Sequence, residues 1–312
     1  MSDHGHPPLA NMNGKIVPFG DAKISIMAPG LTFAVLAFEG LRAYWNDDEQ
    51  QLFAFRVPEH MDRLDFSNAV IEIEGCPDAE KLTAEMLELA EACAFRQDIY
   101  IRMQTYVDEW GAMAATGPAG YSIVCRARGR VAAFHEGRHF GVSSWRRNED
   151  DASPPRIKAS ANYLNSRLAG LEAKRNGYDA AVILNRDGSV SEGPGGCIFV
   201  MRGGQFITPP VTAGILESVT RRTLIEIAGD VGLEVIQRDI GRTELYLAEE
   251  AFYCGTGQEL VPILSFERKP VGDGQPGPAT LKLQDHYDAV VRGRVAAYRH
   301  WLTPVYANGD GT

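Results

Sequence analysis

Short strand-like and helix-like segments alternate along this chain, in two blocks joined by a looser stretch around residues 128–141. Residues 100–107 alternate in polarity as a half-buried strand does, whereas Leu82, Met86 and Leu89 recur at helical spacing. Because strands and helices are mixed within each block, we predict an α+β (mixed α/β) fold.

The length of 312 residues is too great for one small domain and suits two. We predict a flexible tail over residues 1–12, a small N-terminal α/β domain over 13–130, an interdomain linker over 131–141 and a large C-terminal domain over 142–312. A core of this size needs neither disulfides nor a metal ion for stability.

Individual elements are predicted from apolar periodicity, turn residues and capping residues. Asp78 is expected to cap one helix, and Gly177 to end another. Helices are predicted over residues 58–69, 163–176, 219–231, 243–249 and 278–301. Strands are predicted within residues 15–27 and over 33–45, 52–55, 100–107, 121–126, 140–145, 180–185, 189–192, 197–201, 205–207 and 251–254.

Charge and cysteine usage narrow the function classes. The net charge of −10 argues against binding to the phosphate backbone of a nucleic acid. No apolar run approaches a membrane span, and the polar start of the sequence lacks the apolar core of a signal peptide. The five cysteines are scattered without a CxxC pair, so neither a zinc site nor a disulfide framework is expected. We therefore expect a cytoplasmic protein without metal, nucleic-acid or membrane partners.

Lys158 is the first candidate for chemistry, because it ends a short strand-like segment just before small residues and a predicted helix. A lysine at such a junction can have its amine partly desolvated, which lowers the pKa of the amine and favours a Schiff base with a carbonyl. Taken alone, however, Lys158 is more typical of an ordinary surface lysine.

A second candidate lies in the glycine-rich bend over residues 191–196, which reads Ser-Glu-Gly-Pro-Gly-Gly. It follows a hairpin signal at residues 185–188 and precedes a predicted strand. Since glycine lets a backbone approach a ligand closely, Glu192 in this bend can face a ligand nitrogen.

Three features could hold a phosphate group. Arg63 has a guanidinium, which can donate two parallel hydrogen bonds to phosphate oxygens. Residues 217–221 begin a predicted helix, whose first N–H groups attract anions, and residues 255–257 form a small-residue turn after a strand. Each feature alone also fits a plainer reading as a solvated arginine, a serine-capped helix or a simple turn.

Lys158, the Asn-Tyr-Leu of residues 162–164 and the Ser-Glu-Gly of residues 191–193 together resemble the class IV aminotransferases. This is the pyridoxal 5′-phosphate (PLP) family of branched-chain and D-amino-acid aminotransferases, and further matches run from about residue 38 to about residue 280. The resemblance implies a two-domain, fold type IV enzyme with a D-amino-acid aminotransferase-like fold. It also implies a homodimer.

The resemblance assigns roles to residues around the cofactor. Lys158 is implied to be the catalytic, Schiff-base lysine, Tyr163 to bond the phenolic oxygen of PLP, and Glu192 to pair with its pyridine nitrogen. The full set of cofactor-binding residues that it implies is Arg63, Lys158, Tyr163, Glu192, Val219, Thr220 and Thr256.

Substrate-binding residues are also implied by the resemblance. Phe38 falls at a pocket aromatic, Arg102 at an arginine that helps bind an acidic co-substrate, and Thr256 with Gly257 at a turn that meets the substrate carboxylate. Phe33 stands where the family has a pocket tyrosine, so one hydroxyl is lost from carboxylate recognition.

Two other departures affect the expectations. Glu217 and Ser218 replace a Pro-Gly pair before the helix start, which places a negative charge near the expected phosphate while backbone donors survive. Residues 108–111 also differ from the branched-chain pattern. A D-amino-acid or (R)-amine transaminase, or an enzyme like aminodeoxychorismate lyase, therefore stays an alternative.

The expected activity is that of an aminotransferase. The amino group would move from a branched-chain-like amino acid or an amine to a 2-oxo acid such as 2-oxoglutarate. A non-catalytic binding module is the alternative from another class, but such a module has no need of a reactive lysine together with Glu192 and Tyr163.

Overall fold

The computed structural model describes residues 7–108 and 110–306, and the chain divides into two compact units. The first unit comprises Met1–Gly129, Ile157–Ala161 and Ala289–Thr312, and the second comprises Arg130–Arg156 and Asn162–Asp288. Lys158 therefore belongs to the first unit, although the segments on both sides of it in the chain belong to the second.

The strands are β1 (Leu9–Met12), β2 (Lys15–Pro18), β3 (Leu36–Asn46), β4 (Gln51–Phe55), β5 (Ile99–Val107), β6 (Ala119–Ala127), β7 (Arg138–Arg146), β8 (Ala180–Leu184), β9 (Cys197–Arg202), β10 (Gln205–Thr208), β11 (Val235–Gln237), β12 (Ala251–Gly255), β13 (Glu259–Phe266), β14 (Lys269–Pro270) and β15 (Leu302–Pro304). The α-helices are α1 (Pro29–Thr32), α2 (Val57–Val70), α3 (Ala79–Ala92), α4 (Ala133–Glu136), α5 (Tyr163–Arg175), α6 (Val219–Ala228) and α7 (Pro278–Val291). Short 3-10 helices occupy Phe19–Asp21, Ser160–Asn162, Gly229–Val231, Arg242–Leu247 and Ala296–Trp301.

The first unit is built on an antiparallel sheet in the order β15-β4-β3-β5-β6-β1-β2. β3 lies inside this sheet and is buried after its first residue. α2 begins with Pro58 in its first turn, and Met61 and Leu64 on its buried face join the core of the unit. Burial of each such side chain contributes about 1.5–3 kcal/mol. The predicted cap of α3 is confirmed, since the Asp78 carboxylate accepts the N–H of Lys81 at 2.8 Å.

The second unit is built on a mixed sheet in the order β11-β10-β9-β12-β13-β7-β8, with β14 added to β13. β7 pairs in parallel with both β8 and β13, whereas β12 is antiparallel to both β9 and β13. Phe140, Val182, Ile198 and Tyr253 from these strands meet in one apolar core. Each unit thus has its own sheet and core, and the predicted α+β class is confirmed.

Two expectations about the boundaries of structure are corrected. Residues 9–12 of the predicted tail form β1, because Ala10 and Asn11 are fully buried and pair with β6. Residues 1–6 of that tail lie outside the described part of the chain. Residues 131–141, predicted as a linker, contain α4 and the first residues of β7.

Several predicted elements differ in type or length. In the predicted strand over residues 189–192, only Ser189 and Val190 form isolated bridges, and residues 243–249 are largely a 3-10 helix. The last helix ends at Val291, since Gly293 takes a left-handed φ of 74° that stops the helix. Strands β11, β13, β14 and β15 were not predicted. Within the described residues, no helix is both long enough and apolar enough to span a membrane.

Candidate active site

Lys158 lies in an irregular segment of the first unit, not at the end of a strand as predicted, and its neighbour Ala159 forms a β-bridge with Ala37. The backbone N–H of Lys158 donates to Oγ of Ser67 at 3.0 Å, and its carbonyl accepts the N–H of Phe38 at 3.0 Å. Since Ser67 is on α2 and Phe38 is on β3, two regular elements hold the backbone of Lys158. Its Nζ lies 4.9 Å from the centroid of the Phe38 ring.

Arg63 forms a bidentate ion pair with Glu39 inside the first unit. Nε of Arg63 donates to Oε1 of Glu39 at 2.6 Å, and Nη2 donates to Oε2 at 2.8 Å. Nδ1 of His60 lies 2.7 Å from the same Oε2. Glu39 is fully buried on β3, while 10% of the Arg63 side chain is exposed. The predicted phosphate-binding guanidinium is thus fixed along one edge by a buried carboxylate.

The electrostatics of this cluster define its protonation. Burial would raise the pKa of Glu39, but the charge of Arg63 and the contacts with His60 outweigh it and hold that pKa well below its usual range. Burial lowers the pKa of His60, and the cations Arg63 and Lys158 lower it further against the opposing effect of Glu39. At neutral pH the cluster is therefore a carboxylate that accepts hydrogen bonds from Arg63 and from a neutral imidazole.

One face of α2 organises these contacts. His60, Arg63 and Ser67 are spaced at i, i+3 and i+7, which places them on the same side of a helix. The first two contact Glu39 and the third contacts Lys158. A single helix face therefore carries both the expected phosphate arginine and the residue that holds the Lys158 backbone.

Two cations of the first unit lie close to the ring of Phe38. The guanidinium carbon of Arg102 is 3.6 Å from the centroid of the Phe38 ring, a close cation–π contact, and its Nε donates to Gln104 at 3.2 Å. Both Arg102 and Lys158 therefore lie against this ring. Phe33, by contrast, directly follows α1 and is 45% exposed, so its side chain is open to solvent.

In the second unit, Tyr163 is the first residue of α5 and is half-buried. The residue before it, Asn162, is buried and anchors the preceding loop. Its amide donates to the carbonyl of Pro154 at 2.8 Å, and its Oδ1 accepts from Asn148 at 3.2 Å. The start of α5, and with it Tyr163, is held in place by this side chain.

Glu192 is buried in the bend between β8 and β9. Nη2 of Arg147 lies 2.5 Å from its Oε1, and the side chains are only 4% and 7% exposed. Its Oε2 accepts the N–H of Leu216 at 3.3 Å and the thiol of Cys197 at 3.8 Å. Donors therefore contact both carboxyl oxygens of Glu192.

Two glycines of this bend lie where neighbouring atoms leave no room for a side chain. A Cβ on Gly196 would come within 2.2 Å of the carbonyl oxygen of Cys254, and one on Gly193 would come within 2.6 Å of the Tyr253 ring. The N–H of Gly195 donates to the hydroxyl of Tyr253 at 2.8 Å. Side chains at these positions would force the bend, and Glu192 with it, away from β12.

The expected phosphate-binding helix start is present at α6. Oγ of Ser218 accepts the N–H of Arg221 at 3.2 Å, so this serine is the N-cap. Val219 and Thr220 occupy the first two helical positions, whose N–H groups have no acceptor within a helix. Glu217, the departure from the family pattern, is 56% exposed and lies 3.5 Å from Arg156.

Thr256 and Gly257 lie in the tight turn between β12 and β13, which is closed by the N–H of Gln258 donating to the carbonyl of Gly255 at 2.9 Å. α6 packs against β12 in the same unit. The second unit thus places this turn and Glu192 at strand ends of one sheet. The roles of these residues in binding PLP and substrate stay predictions.

Sequence reasoning missed four residues that hold the candidate groups: Glu39, His60, Ser67 and Arg147. Glu39 directly follows Phe38 in the sequence, and His60 lies three residues before Arg63. Because a buried charge needs a partner, an ion pair between Glu39 and Arg63 could have been expected if Glu39 was buried. No sequence signal indicated Ser67 or Arg147.

Comparison with known proteins identifies relatives along nearly the whole chain. The family model for amino-transferase class IV matches residues 36–266. A probable branched-chain-amino-acid aminotransferase of Aquifex aeolicus is 39% identical over 301 residues, which cover 96% of this chain and 97% of the relative.

Solved structures show the same fold. The branched-chain amino acid aminotransferase of Thermobaculum terrenum in its PLP form matches with a TM-score of 0.90 and 40% identity, over 96% of this chain and 99% of that chain. The T.th. branched-chain amino acid aminotransferase, complexed with N-(5′-phosphopyridoxyl)-L-glutamate, matches with a TM-score of 0.91 and 32% identity over 96% and 99% of the two chains. The same T.th. protein has also been solved complexed with 4-methylvaleric acid.

These matches confirm the resemblance and the fold predicted from the sequence. The family model covers most of the chain, and the structural matches include both units, because they span 96% of it. The chain therefore belongs to the class IV aminotransferases, within the branched-chain amino acid aminotransferase family of enzymes that carry out PLP-dependent transamination.

Proposed function

We propose that this enzyme moves the amino group of a branched-chain amino acid to 2-oxoglutarate, with Lys158 as the amine to which PLP attaches. The observation that carries the proposal is the position of Lys158. Its backbone is held by Phe38 and by Ser67, and Ser67 lies on the same helix face as Arg63. The ligands of the T.th. relative support the substrate classes, since one contains glutamate and 4-methylvaleric acid has the carbon skeleton of leucine.

The residues of each unit have the chemistry that PLP needs. Arg63 offers a mostly buried guanidinium for the phosphate, and Glu192 offers a buried carboxylate for the pyridine nitrogen. The first turn of α6 offers N–H groups to an anion. The cofactor-binding residues that we propose are Arg63, Lys158, Tyr163, Glu192, Val219, Thr220 and Thr256.

The roles of the side chains follow from what the reaction needs. When bound, PLP supplies an electron sink for the charge that remains when the substrate α-carbon loses its proton. Lys158 is the acid–base group: its Nζ would take the proton from the substrate α-carbon and deliver it, as an acid, to the C4′ carbon of PLP. Glu192, as a carboxylate, accepts the hydrogen bond of a protonated pyridine nitrogen. Because one substrate leaves as an oxo acid before the other binds, ping-pong kinetics are expected.

Substrate selection is proposed to involve both charged and apolar groups. Arg102 is held against the ring of Phe38, so its positive charge is available at a fixed place for the second carboxylate of an acidic co-substrate. The N–H groups of the turn at Thr256 and Gly257 suit the α-carboxylate. Phe33 and Phe38 provide apolar surface for a branched side chain.

We also propose a homodimer. The segment from residue 24 to residue 31 leaves many large apolar side chains exposed, which is typical of a surface that another chain covers. These are Ile24, Ile26, Met27 and Leu31. Light scattering should then give twice the chain mass of 34.2 kDa.

The two compact units are proposed to correspond to the small N-terminal and large C-terminal domains predicted from the sequence. The chain after residue 288 would then complete the small domain. A cytoplasmic location is also proposed, because all five cysteines are thiols in the structure, as in a reducing compartment.

The proposal is tested by a screen of amino donors against 2-oxoglutarate and pyruvate, scored for both enantiomers of each donor. Leucine, isoleucine and valine with 2-oxoglutarate should give the highest kcat/KM. A preference for D-alanine with pyruvate-type acceptors, or for (R)-amines, would contradict the branched-chain assignment.

A further inference from the structure

We propose that Arg147 is a positioning residue for the transamination reaction: it keeps Glu192 a carboxylate, so that the proton between Glu192 and the PLP pyridine nitrogen stays on the nitrogen. The inference rests on the proposed role of Glu192. Arg147 is outside the predicted set of site residues, and its positive charge would control the protonation of Glu192.

Arg147 directly follows β7 and is fixed at three points. Its backbone N–H donates to the carbonyl of Leu184 at 2.9 Å, its Nε donates to the carbonyl of Gly214 at 2.8 Å, and its Nη2 lies 2.5 Å from Oε1 of Glu192. Both side chains are more than nine-tenths buried. In such surroundings, removal of one partner leaves an uncompensated buried charge, so breaking this pair from one side costs far more than breaking a surface ion pair.

A turn is shaped around this arginine. Gly214 has a φ of +66°, and a Cβ there would lie 3.3 Å from Cγ of Arg147 and 3.0 Å from Oδ1 of Asn185. The Gly214 carbonyl accepts from both Nε of Arg147 and Oγ of Ser191, and the Asn185 amide donates to the carbonyl of Ala213 at 3.0 Å. The chain before α6 thus gives the guanidinium one orientation, with an edge directed at Glu192.

The other ionisable groups around Glu192 do not replace this cation. Burial raises the pKa values of Cys197, Tyr253 and Cys254, so these groups stay neutral at physiological pH. Arg221 is a second cation nearby, but its guanidinium donates to Thr208, to the carbonyl of Pro209 and to Gln237. Of these groups, Arg147 is the charge in direct contact with the carboxylate.

The chemical consequence concerns one proton. A buried carboxylate without a cation prefers to be protonated, and it would take the proton from a pyridine nitrogen. With Arg147 in contact, the carboxylate form is favoured and the nitrogen keeps the proton, which is the state in which the ring best accepts electrons.

The test is ¹⁵N NMR of the holoenzyme reconstituted with PLP labelled at the pyridine nitrogen, because protonated and neutral pyridine nitrogens have well-separated shifts. Wild type should give the protonated shift, and Arg147→Gln should lose it. Arg147→Lys, which keeps the charge, should restore it, and Arg146→Gln, at the exposed neighbouring position, should match wild type. A protonated shift in Arg147→Gln, or a neutral one in wild type, would overturn the proposal.

A second variant set covers the case in which Arg147→Gln does not fold. Removal of both charges of a buried pair is better tolerated than removal of one, so Glu192→Gln with Arg147→Met should yield protein. If Arg147 acts through Glu192, the double variant should have the same nitrogen shift as Glu192→Gln alone. A further change in the double variant would show that Arg147 acts independently and would overturn the inference. If wild type does not attach PLP at all, it is the proposed function that fails.

Discussion

Ser67 offers the sharpest test of how the candidate site is held together. This side chain is fully buried on α2, where its Oγ donates to the carbonyl of Arg63 at 2.7 Å and accepts the backbone N–H of Lys158 at 3.0 Å. The change Ser67→Ala removes one oxygen and adds no bulk. It therefore deletes the acceptor of the Lys158 N–H and leaves the hydrogen bond from Phe38 to the Lys158 carbonyl in place.

The magnitude follows from what the deletion leaves behind. The N–H of Lys158 loses its acceptor at a partly buried position, and an unsatisfied donor costs about 1–3 kcal/mol. The bond from Ser67 to Arg63 contributes little, because that carbonyl also lies in the helix. We therefore expect the free energy of unfolding to fall by about 1–3 kcal/mol. Since Lys158 would be less precisely placed, kcat should fall more than KM changes.

The assay is urea unfolding of the holoenzyme with steady-state kinetics on the same samples. Thr223→Val is the matched control, because Thr223 is also fully buried and its Oγ1 also donates to the carbonyl four residues earlier, that of Val219, at 2.9 Å. The reasoning is refuted if Ser67→Ala is no more destabilising than Thr223→Val and leaves kcat unchanged.

Three further predictions concern the first unit. Arg63→Ala should weaken PLP binding by about ten- to a hundredfold, the equivalent of about 1.5–3 kcal/mol, with little change in substrate preference, and an unchanged cofactor Kd would contradict its role at the phosphate. Phe33→Tyr should raise the ratio of kcat/KM for leucine to that for a simple (R)-arylalkylamine by about fivefold, or about 1 kcal/mol, and a constant ratio would exclude Phe33 from carboxylate recognition. Because burial lowers the pKa of His60, the unfolded chain binds more protons as the pH falls below about 6.5, so the free energy of unfolding should decrease by up to about 1.4 kcal/mol per pH unit. His60→Asn should reduce the loss of unfolding free energy between pH 7 and pH 5.5, measured by urea unfolding at both pH values. An equal loss in wild type and His60→Asn would contradict this prediction.

Local signals in the sequence predicted the elements that local interactions define. The β3–β4 hairpin, the Asp78 cap and the end of α5 before Gly177 all depend on residues within one turn or one hairpin, and the structure confirms each. The glycine-rich bend over residues 191–196 was also predicted from local sequence, and its glycines allow the close approach to β12.

Long-range pairing accounts for most of what was missed. β1 lies in a polar stretch and is stabilised by β6, more than a hundred residues later. β15 similarly requires β4. The ion pairs of Glu39 with Arg63 and of Arg147 with Glu192 join residues 24 and 45 positions apart, so no periodicity indicates them. These contacts depend on the finished fold.

The most direct test of the central claim is to find where the cofactor attaches. The holoenzyme should be treated with borohydride, digested and mapped by mass spectrometry, with Lys158→Ala as the companion variant. The structure predicts the reduced phosphopyridoxyl group on the peptide that contains Lys158, and no covalent attachment in Lys158→Ala. Attachment to a different lysine, or unchanged labelling of Lys158→Ala, would contradict the assignment of Lys158 and with it the proposed active site.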